Sequence, residues 1–542
     1  MHRLSLAALA VVGIVAAVFV AGGSAGTSQT PKRGGTVVFA AEQEPPCLNG
    51  ALAGCNNTWT SWTVGTSLRG LYIVKPDFSI VPDMADGEAT VVSKKPFTLQ
   101  FKIKKNAVWS DGKPVTVQDF IFTWKAFVNP QNDVAGRSGW DSIKSVKAVN
   151  SKSARVVFSK PYAPWKVLLA TSLYPSHALS GTDFNTVWNS EYKNKAGQNI
   201  GSGPFILQGY VKGQSITMVR NPKWWGPRKP YLDKVVFVFR TNTDTEIQAI
   251  RGGEVDVIYP QPQLQLADLK GQAGLKVVSN AGTTFEHIDF NQQVKGGMPL
   301  LRAPWFRQAV SYSIDRTALV KQLFRTLQPN LVPLQNLSYA NSQKGLYAPH
   351  FEGYKYSVAK VTQIMQKHNC TKGSDGIWSC QGVKASIKLG TTAGNRLREL
   401  GLEIMQAQAK NAGIQFIPDS EPSRLFFPRV SDGNYQIALF AWVGTGDPAG
   451  QSDIYGCGGE SNWKGYCSNK VTALLKGSDA ELDATKRAAL VNAADKIMAL
   501  NVPTLPLYQK PTYLVHKTKV HNIRDNPTLQ GPTDNMEDWW VS

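Results

Sequence analysis

Residues 201–240, GSGPFILQGYVKGQSITMVRNPKWWGPRKPYLDKVVFVFR, restrict the fold more than any other part of this chain. Gly201 and Gly203 permit backbone angles that a side chain would forbid, and Pro204 fixes the entry to the strand that follows. Residues 205–210 and Ser215–Arg220 flank Lys212-Gly213, so they read as a β-hairpin. An Asn-Pro loop with the paired Trp224-Trp225 comes next. Residues 235–239 are a continuous β-branched and aromatic run, suited to a buried strand.

The rest of the chain supplies alternating strands and helices. Residues 96–104 alternate apolar and polar, the pattern of a half-buried strand. Ser110-Asp111-Gly112 is turn chemistry, and Thr116 with Asp119 forms a helix N-cap; Phe120, Trp124, Phe127 and Val128 then recur at helical spacing until Asn129-Pro130. Pro304 suits the first turn of a helix whose apolar face is Phe306, Ala309, Val310 and Ile314. A βαβ-like unit follows: strand 386–389, helix 395–412 closed by Gly413, and strand 414–417. Strand 436–442 is apolar on both faces and should be central. At 542 residues, the chain is too long for one core and should divide into two or three domains. Its 42% hydrophobic and 18% charged content is that of a globular protein.

The N-terminus has another character. Met1-His2-Arg3 precedes a nearly unbroken apolar run, 4–20, and then AGGSAG, the order of a secretory signal peptide with cleavage near Ala21 or Ala25. An uncleaved membrane anchor is the alternative, since the run is slightly short of the roughly 20 residues needed to span. Two motif matches fail on context. Gly22-Gly23-Ser24-Ala25-Gly26 fits a nucleophile elbow but lies in the signal region. Leu52-Ala53-Gly54-Cys55 resembles a lipid-attachment box but lies far beyond the apolar run, so no lipid is expected on Cys55.

The six cysteines form three close pairs, Cys47/Cys55, Cys370/Cys380 and Cys457/Cys467. In an exported chain an even count points to disulfides, and neighbour pairing is the simplest of the fifteen connectivities. There is no C-x-x-C, and His368 near Cys370 is a lone candidate ligand, so neither a metal nor any other cofactor is expected. The net charge of +20 is spread singly over Lys and Arg without a basic block, which argues against nucleic acid and for an anionic cell envelope.

In order along the chain, four segments resemble motifs of the family 5 solute-binding proteins of ABC importers, which carry oligopeptides, dipeptides and some nickel complexes. They are the 201–240 segment, Trp109-Ser110-Asp111-Gly112 through Trp124, Arg307-Gln308-Ala309-Val310-Ser311-Tyr312-Ser313-Ile314-Asp315-Arg316 (Ser313 standing where alanine is usual), and Gly373-Ser374-Asp375-Gly376-Ile377-Trp378. The resemblance implies an α/β, periplasmic-binding-protein-like type II fold, two lobes with an extra domain inserted in lobe one. After the signal (1–25) and a linker (26–33), lobe one would hold 34–75, 200–286 and 511–542, the insertion 76–199, and lobe two 287–510. The lobes would close on a ligand by hinge motion.

Most of these motifs have a structural reading. Trp109, Trp124, Trp224 and Trp225 read as packing aromatics, Asp315-Arg316 as a cap or interhelical ion pair, and Gly201-Ser202-Gly203-Pro204 as a turn, since it lacks the lysine and helix of a P-loop. The leading site candidate is Trp442-Val443-Gly444-Thr445-Gly446-Asp447-Pro448, because open α/β sheets bind ligands beyond the carboxyl ends of their strands. Trp442 would present an apolar face and Asp447 a carboxylate. Peptide-binding members of the family place an aspartate three or four residues after the tryptophan to hold the peptide's α-amine. Here Thr445 takes that place, so either Asp447 makes the contact or the ligand lacks a free amine; an ordinary Asp-Pro turn is the structural alternative. By resemblance, residues 51–59, with Asn56, Asn57, Thr58 and Trp59, form a second wall, its shape fixed by a Cys47–Cys55 bridge. Asn462-Trp463 lies in a third candidate loop.

These features point to an exported, monomeric receptor that binds an extended peptide, partly through its main chain, and hands it to an ABC permease. A non-peptide ligand (nickel chelate, opine, sugar) or a sensor role keeps the same fold. An exported hydrolase is the rival of another class, but the histidines have no evident serine or cysteine partner and no H-E-x-x-H occurs.

Overall fold

The computed structural model describes residues 30–341, 343, 345–444, 448 and 450–542. Thr30 and Pro31 end a separate unit, and Lys32–Ser542 form the unit described below. The expected signal peptide and most of the linker lie outside the described residues. No helix among the described residues is long and apolar enough to cross a membrane.

Three principal sheets organise the chain. The seven-stranded sheet has the order Leu275–Val278, Leu514–Lys517, Val257–Ile258, Thr36–Ala41, Lys234–Phe239, Ser215–Arg220, Phe205–Val211. Its centre is parallel, with Phe39 paired to Phe237, and both rings are fully buried against Trp59. The expected hairpin is its edge, and Gly213 takes the left-handed conformation its turn requires.

The five-stranded sheet has the order Gln415–Pro418, Ser386–Gly390, Ile437–Trp442, Phe285–Phe290, Thr504–Gln509. The βαβ unit is present: Ser386–Gly390 pairs parallel with Gln415–Pro418 across the Arg396–Asn411 helix. Ile437–Trp442 is the middle strand, as its two apolar faces demand. A four-stranded antiparallel sheet, Thr90–Lys94, Phe97–Lys102, Ser153–Phe158 and Ile143–Asn150, packs on the Val117–Val128 helix. That helix opens with the expected capping box of Thr116 and Asp119. Asp119 also accepts from the indole of Trp109, which is wholly buried.

The chain passes between the two larger sheets twice, once after Val278 and again after Gln509. The passages run together: the Lys510 amide donates to the Thr284 carbonyl at 2.8 Å, and the Thr512 amide to Asn280 at 3.0 Å. All three expected disulfides are present, Cys47–Cys55, Cys370–Cys380 and Cys457–Cys467.

Several motif residues are structural. Trp225 donates to the Ser202 carbonyl at 2.7 Å, and a Cβ at Gly203 would fall 2.2 Å from the Thr66 carbonyl oxygen. The 201–204 turn is therefore locked against the end of the Thr58–Ser67 helix. Asp315 caps the Arg316–Phe324 helix, and buried Arg316 donates to the carbonyls of Leu334, Phe351 and Pro506.

Candidate ligand-binding cleft

Where the two larger sheets face each other lies a cavity of about 70 Å³, lined among others by Glu42, Gln43, Trp62, Tyr259, Val443 and Lys510. Its floor is a continuous line of charged and polar side chains. Glu42 follows the first strand of one sheet and accepts on Oε1 from the Gln261 amide. The Lys510 ammonium donates to Gln261 Oε1 at 2.6 Å and lies 3.0 Å from Glu286. Arg398, in the first turn of its helix, grips Glu286 through Nε and Nη2 at 3.0–3.2 Å and donates through Nη1 to Thr392 at 2.9 Å. Glu286 belongs to the other sheet, so this line ties both sheets together through the passage at Lys510.

Burial and charge act against each other along that line. Burial alone would raise the Glu286 carboxyl, but Arg398 and Lys510 overcome it and hold the group at about 2. Glu42 is raised, chiefly by burial. Glu246 lies well above the ordinary range through burial and the neighbouring Glu42. Burial also takes His287, on the Glu286 strand, down to about 4, so it is neutral.

A second, larger chamber of about 260 Å³ adjoins the first; Thr528 lines both. The Thr58–Ser67 helix borders the two in turn, giving Thr58 and Trp62 to the small chamber and Ser61 and Gly65 to the large one. These positions share a face at helical spacing. Val64, Phe127 and Tyr174 make the second chamber largely apolar.

Among the expected site residues, Trp59 lies in the first turn of the Thr58–Ser67 helix, has no exposed surface, and meets Phe39 and Trp62 edge-to-face at 5.3 and 4.9 Å. Asn57 is that helix's N-cap, accepting from the Thr60 amide at 2.7 Å and donating to the Glu44 carbonyl. Asn56 ends the short turn before it. Asn462 is buried and donates to the carbonyls of Gly456 and Tyr466, bracing the Cys457–Cys467 loop from within. Trp442 ends its strand as expected, but alternation turns it away from the cavity, which is lined by its neighbours Ala441 and Val443. It stacks on His287 at 6.3 Å and packs against Trp463 at 5.3 Å. Thr445 and Asp447 lie outside the described residues.

Sequence reasoning missed Glu42, Gln261, Arg398 and Lys510. One local signal existed for Glu42: the polar run Glu42-Gln43-Glu44 directly follows an apolar strand in a parallel sheet centre. The other three converge from separate segments and leave no local pattern.

Comparison with known proteins agrees with this geometry. The family described as bacterial extracellular solute-binding proteins, family 5 Middle, matches residues 79–464. The chain is 26% identical over 514 residues to the oligopeptide-binding protein OppA of Bacillus subtilis (strain 168), covering 90% of each. A periplasmic EDTA-binding protein, EppA, superposes with a TM-score of 0.82 at 25% identity, over 95% of this chain and 98% of the other. The oligopeptide-binding protein AppA from Bacillus subtilis, solved with a nonapeptide, superposes with a TM-score of 0.84 at 19% identity, over 95% and 100% of the two chains.

Proposed function

Since this chain belongs to the bacterial extracellular solute-binding proteins of family 5, a family of receptors and not of enzymes, we propose that it captures an extended peptide between two closing lobes. The lobes are the bodies built on the seven- and five-stranded sheets, with the four-stranded module inserted in the first. The paired passages after Val278 and Gln509 are the hinge. The observation that carries this reading is the cavity itself: it lies between the two sheets, and its floor draws residues from both and from the hinge. Peptide-binding relatives and the nonapeptide complex support a peptide as cargo. The adjoining apolar chamber gives a side chain somewhere to go.

The protein acts outside the cytoplasm as a monomer, after removal of the N-terminal apolar segment, and hands its cargo to an ABC permease. Cys55 is engaged with Cys47 and carries no lipid. Intact mass of the exported protein checks this point: a chain beginning at Cys55 with a diacylglycerol increment would refute it.

Native mass spectrometry tests the ligand. Protein purified without denaturant, then offered a mixed peptide pool, should carry one peptide per chain, released intact on mild unfolding. Cleavage products would point to a hydrolase, and a bare protein in the presence of the pool would reject a peptide cargo.

A further inference from the structure

Three carboxyls, half-buried Glu42 and the buried Glu246 and Glu286, lie together with two cations, Lys510 and Arg398. Glu286 is held by both cations. Glu42 receives only the Gln261 amide, on Oε1, and its Oε2 has no hydrogen-bond partner. The next side chain, Gln43, is 7% exposed and its Oε1 is also without a partner. Both residues line the cavity. The end of the cavity beside the first strand therefore offers two acceptor oxygens and lacks one positive charge. Unsatisfied acceptors in a water-poor site are costly, and a donor that carries charge removes that cost most fully.

We propose, building on the cleft reading above, that this end of the cavity takes a primary ammonium group of the ligand, seated on Glu42 Oε2 with Gln43 Oε1 as a second acceptor. An anion there would add a further negative charge to a cluster already short of cations. The small chamber fits the charged head and little more, so the remainder of the ligand runs along the Thr58–Ser67 helix into the apolar chamber. The ligand class is thus a primary amine on a substantially apolar body. Burial raises Glu42 and, more strongly, Glu246, so both carboxyls hold a proton more tightly than exposed ones do. An ammonium on Glu42 favours its ionised form and so works against that proton.

Calorimetry on ligand-stripped protein tests the assignment with two matched probe sets. One is a lysine-free tetrapeptide pool, free or N-acetylated; the other is phenethylamine and pentylamine with their N-acetyl forms. Wild type should bind free amines about thirty-fold or more tighter than acetylated ones, the usual loss when one partner of a buried charge pair is removed. Glu42→Gln, which keeps the shape, should bind both forms alike, and Glu42→Asp should recover part of the preference. In buffers of differing ionisation enthalpy, wild type should release a proton on binding and Glu42→Gln should not. Equal binding of free and acetylated probes by wild type would overturn the assignment, as would failure of every free amine to bind. Loss of discrimination in Asp447→Asn but not in Glu42→Gln would overturn it in favour of the later loop. If simple amines bind in a Glu42-dependent way and no peptide does, the peptide reading fails and the Glu42 assignment stands.

Discussion

Glu286 is fully buried and Asp453 half-buried, and burial has opposite outcomes at the two carboxylates. Glu286 sits between Arg398 and Lys510 and is held at about 2. Asp453 lies where the four-stranded module meets the helices between strands Ile437–Trp442 and Thr504–Gln509, accepting from the Ser138 amide at 3.2 Å. Burial, and then the neighbouring Asp479, Asp141 and Glu460, lift it to about 7. The nearby guanidinium, Arg137, is committed to Glu460, and among the described residues Asp453 has no ion-pair partner. A buried acid is thus an asset or a liability according to whether a cation is built beside it. The first cluster is a permanent fastening between sheets. The second makes its contact dependent on a proton.

The largest effect expected from breaking this contrast is at Arg398. Arg398→Met leaves Glu286 buried with only Lys510, and removing one partner of such a pair costs about 3–5 kcal/mol. Urea unfolding reads this directly, and a loss below about 1 kcal/mol would show that the cluster is not a fastening.

Acid titration comes next. The Glu286 carboxyl is depressed from 4.5 to about 2, so its contribution is complete above about pH 4.5 and is lost as pH falls towards 2. The shift corresponds to about 3 kcal/mol. Glu286→Gln should flatten that acid limb; an unchanged limb would assign it elsewhere.

Asp453 should behave with the opposite sign. Its folded value is raised from 3.8 to about 7, so the folded protein binds the extra proton and stability falls as pH rises between them. Partial solvent contact reduces the effect to on the order of 2 kcal/mol. Melting temperatures at pH 5 and pH 8 should converge in Asp453→Asn. If the variant keeps the wild-type slope, the proton resides on another group.

The smallest effect is a reference free of pH dependence. Asn57→Ala removes the cap of the Thr58–Ser67 helix and should cost about 1 kcal/mol at every pH. A pH-dependent loss there would mean that the helix reports on the neighbouring charges.

How much of this could be read beforehand depends on whether a signal is local. The Phe205–Val211 and Ser215–Arg220 hairpin, the Thr116 capping box and the Pro304 helix start each depend on a few adjacent residues, and each was legible. The Thr58–Ser67 helix was not. Its sequence, TWTSWTVGTS, is rich in β-branched residues, carries a glycine at Gly65 and has little helical periodicity. It forms because Asn57 caps it and Trp59 anchors it in the core. Without that helix the expected wall stopped at Trp59 and left out Trp62, which borders the cavity together with Thr58. The charge line escaped for another reason: Glu42, Gln261, Glu286, Arg398 and Lys510 span most of the chain and meet only once both sheets are formed.

Hydrogen exchange with and without the tetrapeptide pool tests the central claim, that ligand is held between the two sheets over this charge line. Slowed exchange should concentrate in three separated segments, 42–44, 259–262 and 441–443, with the Cys370–Cys380 hairpin unchanged. Protection confined to any one segment, or centred away from all three, would contradict the account.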